Sequence, residues 1–189
     1  MNKKRILAFI LALLIFSLVS NIDIYAASTR KVTTTANSYN DSKSSKKAPK
    51  IKKGKTIVTN KGNQSKTYVV KFTAPKTKTY KISLSNVRNS KDKDGINGHF
   101  YISKLNEYGY YNHLKLKTNG GKSSIFQIGD KQWCSSWGHP EKKKVDGYYA
   151  NRYINVKLKK GETIYISTFF VTNKDAGNTK YDINIKSIK

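Results

Sequence analysis

Cysteine is nearly absent from this 189-residue chain, and Cys134 stands alone. A single thiol cannot form an internal disulfide, which excludes a stapled framework and leaves a hydrophobic core as the source of stability. Acidic residues are also scarce, with 11 Asp and Glu against 37 Lys and Arg, for a formal net charge of +26. Such an imbalance draws a protein toward polyanions, and a composition bias that merely aids solubility is the competing explanation. Long apolar runs are missing as well, apart from one near the N-terminus, so no later segment can span a bilayer as a helix.

That one run has the layout of a secretory signal. Lys3, Lys4 and Arg5 precede the apolar stretch Ile6 to Val19, and the small residues Ala26, Ala27 and Ser28 follow. An apolar core of about 14 residues is shorter than the roughly 20 that a membrane-spanning helix needs. Cutting after Ala26 or Ala27 places Ile24 or Tyr25 at the third position before the cut, so an uncleaved anchor is the alternative. The expectation is a signal peptide over residues 1–27 and a secreted, extracellular protein, retained at the cell surface by charge. Cleavage removes three basic residues and Asp23, and +26 becomes +24. Outside a cell, the polyanions within reach are wall polymers, acidic polysaccharides and matrix components. Intracellular nucleic acid is not among them.

Residues 28–53 are rich in Ser, Thr, Asn, Ala and Lys, with Pro49 near the end. So little apolar content does not repay the entropy of ordering a chain, and the reading is a disordered linker. From residue 54 the pattern changes. Tyr68, Val70, Phe72 and Ala74 alternate with Val69, Lys71 and Thr73; Tyr80, Ile82 and Leu84 alternate with Lys81, Ser83 and Ser85; Tyr181, Ile183 and Ile185 alternate with Asp182, Asn184 and Lys186. A period of two puts one face of a strand on a core and the other in water. Further strands fit Ile57–Thr59, Phe100–Lys104, Leu114–Lys117, Ile125–Ile128, Tyr153–Leu158 and Thr163–Val171. No segment carries a sustained helical period. The prediction is an all-β antiparallel sandwich, jelly-roll-like, over residues 54–189. Lys159-Lys160-Gly161 reads as a tight hairpin turn with Gly supplying positive φ.

The run Lys66 to Pro75 (KTYVVKFTAP), followed by Tyr80-Lys81-Ile82-Ser83-Leu84, resembles the opening hairpin of bacterial pre-peptidase C-terminal domains. Leu158-Lys159-Lys160-Gly161-Glu162-Thr163-Ile164-Tyr165-Ile166 and Tyr181-Asp182-Ile183-Asn184-Ile185 resemble that family's closing strands. The resemblance covers about residues 55 to 189, with residues 105–149 unaligned. It implies a β-sandwich that binds rather than catalyses, and it brings no catalytic residues with it.

Three places could carry chemistry. Asp92, Asp94 and Asn97, with Gly95 between them, resemble the first half of a calcium loop. The acidic residue that would close such a loop is absent, since the twelfth position from Asp92 is Ser103, and Lys91 and Lys93 repel a cation. No cofactor is otherwise implied. Cys134 could act as a thiol nucleophile if a base, His139, His99 or His113, approached it. The Thr-Leu-x-Thr-Cys strand of sortase-type transpeptidases is not present. An inert Cys among packing aromatics is the plainer reading.

The third place is a supply of loop aromatics: Tyr108, Tyr110 and Tyr111, then Trp133 and Trp137, then Tyr148 and Tyr149. Rings on loops stack on sugars or on partner side chains at low entropic cost. Trp133 and Trp137 would share one side of an extended strand. Lys142, Lys143 and Lys144 would add positive charge beside them. The expected function is a secreted, non-catalytic module that binds an anionic wall polymer, a polysaccharide or a matrix protein through this loop site. A Cys134-dependent enzyme and an effector acting on a protein partner are the alternatives.

Overall fold

The structure is a computed structural model, and it describes residues 29–37, 42–62, 66–89, 91–92, 95–136, 147–172 and 177–188. The signal-like segment, Asp94, Trp137, His139 and Lys142 to Lys144 lie outside the described residues. In chain order the elements are β1 (Arg30–Asn37), α1 (Ser42–Lys47), β2 (Lys50–Ile51), β3 (Gly54–Lys61), β4 (Thr67–Thr73), β5 (Lys78–Arg88), β6 (Asn97–Leu105), β7 (Tyr111–His113), β8 (Leu116–Thr118), β9 (Gly121–Ser123), β10 (Phe126–Gly129), α2 (Lys131–Ser136), β11 (Asn151–Leu158), β12 (Thr163–Val171) and β13 (Thr179–Ile188).

The strands form two mixed sheets packed face to face, an all-β sandwich. Sheet I has the order β1-β3-β13-β5-β11-β8-β9, and sheet II the order β10-β6-β12-β4. On the far edge of β6, β7 continues the line of β10; on the far edge of β4, the end of β1 and then β2 lie in line. Pairing is antiparallel except where β1 meets β3 and β2 meets β4.

The alternating residues decide the core. Tyr80, Ile82 and Leu84 of β5, Ile183 and Ile185 of β13 and Ile154 and Val156 of β11 point inward from sheet I. Val70 and Phe72 of β4, Phe100 and Ile102 of β6 and Ile164 and Ile166 of β12 meet them from sheet II. Each fully buried side chain of this size contributes about 1.5–3 kcal/mol. One polar cluster is bonded inside this core: Thr168 Oγ1 accepts from Asn60 Nδ2 at 3.3 Å and bonds the Tyr181 hydroxyl at 3.1 Å. The buried Thr56 Oγ1 and Asn60 Oδ1 have no hydrogen-bond partner among the described residues. Burial pushes the Tyr181 phenol far above its usual range, so it stays protonated.

Two sequence expectations need correction. Residues 29–53 are not a free linker through most of their length. β1 runs parallel to β3 over six residue pairs and then joins β4, so it closes the gap between the two sheets. Thr34, buried, reaches the Val69 carbonyl at 3.4 Å. Behind β1, Ala48 packs on Val69 and Tyr165 over the outer face of sheet II. Lys71 Nζ donates to the carbonyls of Lys46 at 2.8 Å and Ser45 at 3.3 Å, a cation on the C-terminal end of α1. Ile51 then enters the main core. A few well-placed small and apolar residues thus dock a segment whose average composition is polar.

The second correction concerns the turns. Neither β4–β5 nor β11–β12 is a hairpin, because each connection carries the chain from one sheet to the other. The two arches sit side by side and bond to each other: Ala74 N donates to Glu162 O at 2.9 Å and Gly161 N to Ala74 O at 2.8 Å. Lys160 N donates to Thr77 Oγ1 at 2.9 Å. Gly161 takes φ +82°, as the turn demands. A Gly-containing turn between two amphipathic strands serves an arch as well as a hairpin.

Candidate binding surface

The predicted aromatic site is divided by the length of β6. Tyr108 and Tyr110, 73% and 53% exposed, sit in the turn after the C-terminal end of β6. Asn106 builds that turn: its Oδ1 accepts from Tyr108 N at 3.0 Å and Tyr110 N at 2.9 Å. Tyr111 leans back edge-on against Tyr165, ring centroids 5.4 Å apart. Trp133 lies at the other end of β6, with its backbone N and Cβ against Gly95, and meets Tyr148 edge-on at 6.1 Å. Nine strand residues at about 3.3 Å each separate the two groups by roughly 30 Å. Trp133 belongs to helix α2 and not to an extended strand, and Trp137 lies outside the described residues. Tyr149 is buried, its ring 4.9 Å beneath the guanidinium of the fully buried Arg152. It packs the interior and presents no face to a ligand.

A different aromatic row lies on the outer face of sheet II. Phe100 and Ile102 point inward from β6, so His99 and Tyr101 point outward. Strand pairing brings Phe169 of β12 beside His99, stacked at 5.2 Å, and His113 of β7 against Tyr101, stacked at 4.4 Å. His99 meets Tyr101 edge-on at 5.0 Å. His113 Nδ1 and Ser103 Oγ share a hydrogen bond of 2.7 Å. Burial lowers both imidazole pKa values below the usual histidine range, so both rings are neutral at pH 7. The ring faces are largely occupied by one another, which leaves edges and polar atoms for an outside partner. The outward alternation of His99 and Tyr101 was legible in the sequence; Phe169 and His113 join them only through pairing.

Three of the described carboxylates serve the fold. Asp130 caps α2, its Oδ1 accepting from Trp133 N at 2.7 Å and its Oδ2 from Ile96 N at 2.9 Å. Glu162 pairs with Lys104 and accepts from Lys159 N at 2.9 Å, and these bonds hold its carboxyl below the usual range. Asp182 is nearly buried between Lys55 at 2.9 Å, Arg88 at 3.1 Å and Asn86 at 3.2 Å. Burial pushes its carboxyl up, but those hydrogen bonds together outweigh it and the net shift is downward. At the turn that resembles half a calcium loop, Asn97 is drawn into the β6 ladder opposite Gly129 and Val171. Among the described residues, no group of three His, Cys, Asp or Glu is placed to hold a metal. Cys134 is 9% exposed, with its Sγ packed toward Gly129. His99 and His113 stand on the outer face of sheet II.

Beside α2, a cleft of about 690 Å³ opens between the helix and residues of β5, β11 and β13 in sheet I. Ser85, Asn86, Asn151, Lys131, Gln132 and Asp182 line it. Asn86 takes φ +55°, where the β5 strand departs from its register with β13. Val87 and Ala150 lie among these polar side chains, so the wall is mixed, with hydrogen-bonding groups and apolar surface in similar measure.

No protein-family model matches the chain, and comparison with curated proteins finds no match. Among solved structures it is similar to CorA, described as a surface-associated copper-binding protein important in copper acquisition in Methylomicrobium album BG8. That pair shares 10% identity over 82% of this chain and 100% of the other, with a TM-score of 0.43. It is similar also to the pre-peptidase C-terminal domain of collagenase from Bacillus anthracis, at 15% identity over 74% of this chain and 94% of the other, TM-score 0.34. A family 35 carbohydrate-binding module from an environmental isolate matches at 10% identity over 70% and 77%, TM-score 0.31. At these scores the ligand must be read from this chain's own residues.

Proposed function

We propose that this protein is an exported, non-catalytic binding module that attaches to anionic or carbohydrate-rich surfaces outside the cell. One observation carries the reading. Asp130, Glu162 and Asp182 are each engaged in bonds that hold the fold together, while exposed strand positions such as Lys117, Lys157, Lys180 and Lys186 face solvent. Among the described residues, positive charge is thus displayed on the surface without a carboxylate partner, and it attracts polyanions over a Debye length of about 8–10 Å. The cleft beside α2, with its mixed polar and apolar wall, and the exposed Tyr108 and Tyr110 support the carbohydrate part of the reading. The burial of Cys134 lends no support to a thiol nucleophile.

The test is binding to isolated cell-wall fragments at increasing salt. Charge-driven attachment loses about tenfold or more of its affinity between 50 and 200 mM salt. Affinity unchanged over that range would remove the electrostatic reading.

A further inference from the structure

At the arch end of the sandwich, a groove of about 440 Å³ lies between the start of β1, the β2 segment and the end of β4. Its floor is apolar, made by Ile51, Phe72 and Ala74, all buried. Its rim is basic, made by Arg30, Lys50, Lys52 and Lys53, all exposed. Among the described residues, no carboxylate forms an ion pair with any of the four. We propose that this groove is the seat of a linear polyanion bearing phosphate groups along its length. The proposal rests on the attachment reading above and names its site and ligand class.

Three features favour a built site over diffuse charge. The backbone carrying the cations is fixed. β2 pairs with β4, Lys50 opposite Lys71 and Ile51 opposite Phe72, and Lys71 N donates to Pro49 O at 2.9 Å. Arg30 Nη1 donates to the Lys53 carbonyl at 3.3 Å, which joins the two walls. Cations held in place lose less freedom on binding than the same cations on a free tether. The apolar floor beneath them lowers the local dielectric and strengthens the field in the groove. Finally, four positive charges around one cavity call for a ligand of high charge density. A chain of phosphates offers more charge per unit length than a chain with one carboxylate per sugar, and the Arg30 guanidinium matches two phosphate oxygens at once.

The experiment compares two charge-matched variants with the wild type in calorimetric titrations at 50 mM salt. R30Q/K50Q/K52Q/K53Q empties the groove, and K66Q/K91Q/K115Q/K122Q removes the same charge from exposed positions elsewhere. All eight are exposed, and thermal melts verify that both variants fold. The probes are long-chain inorganic polyphosphate and phosphatidylglycerol vesicles. The titrations are repeated at 200 mM salt. Over that range the wild type and the control are expected to lose about 50–150-fold or more of their polyphosphate affinity, and the groove variant's loss to be smaller by that factor, the share of four phosphate contacts. At 50 mM the groove variant is expected to bind at least about tenfold more weakly than the control. Equal losses in the two variants would overturn the groove while leaving charge-driven attachment in place. Loss on vesicles with polyphosphate binding intact would also overturn it, in favour of a lipid headgroup. Salt-independent attachment of the wild type to wall fragments would remove the attachment reading, yet a groove-specific loss of polyphosphate would still support the site.

Discussion

Replacing Ile51 by Ala separates a docked N-terminal segment from a linker with a single change. A linker residue has no packing to lose, and truncating it leaves stability within about 0.5 kcal/mol. In the structure Ile51 is 2% exposed and belongs to the main core, on a strand paired with β4 beside Phe72. Removing three buried carbons forfeits their transfer energy and leaves a cavity, a loss of about 2–5 kcal/mol for buried Ile to Ala. β2 is only two residues long and lies at a sheet edge, so partial collapse is available and the lower half, about 2–3 kcal/mol, is expected. Equilibrium urea denaturation measures it, with Ile125→Ala as the control, since Ile125 is 47% exposed. The control should move the midpoint little. An Ile51→Ala loss no larger than that of the control would refute the docking of residues 29–53, and with it the fixed walls of the basic groove.

Two further changes probe the frame. A Cβ placed on Gly98 would lie 2.1 Å from the Phe169 carbonyl oxygen and 2.9 Å from the Phe170 Cα, so Gly98→Ala must force β6 away from β12. We expect a destabilisation of about 3 kcal/mol or more in urea melts, and a change below about 0.5 kcal/mol would contradict the close approach of these strands. Asp182→Asn removes charge-assisted bonds to Lys55 and Arg88 and should destabilise by about 1–2 kcal/mol at pH 7. The Asp182 pKa is lower folded than unfolded, so the native residue stabilises fully above the unfolded value near 3.9 and loses that advantage as pH falls through the folded value. Denaturation at pH 7 and near pH 2.5 should show the wild-type advantage shrink at the lower pH, and an equal gap at both would refute the ion-pair account.

Period-two patterning carried the sandwich. It named Tyr68, Val70 and Phe72, Tyr80, Ile82 and Leu84, and Tyr181, Ile183 and Ile185 as inward-facing, and all are buried. But β4 is not one-sided, because Val69 is buried on its other face against Ala48 and Tyr165. Composition-based reasoning failed at β1. Most of its neighbours are Thr, Lys and Asn, and a window average hides Thr34, Ala48 and Ile51, whose value lies in where they land. The loop aromatics were legible as residue types, but their grouping was not. Tyr108 and Trp133 are separated by a strand's length, and Tyr149 is interior.

The sequence by itself determined an all-β chain, a positive excess and the lack of a disulfide, because each follows from residue type or from neighbours one or two positions away. Only the tertiary structure decided which strands meet. An arch and a hairpin require the same local residues, so nothing near Gly161 or Pro75 tells them apart. The choice is made by burial across the whole sandwich, where two sheets can cover each other's apolar faces only if the chain crosses between them. That same crossing brings Arg30 beside Lys50, Lys52 and Lys53 and turns a polar, basic stretch into the wall of a groove.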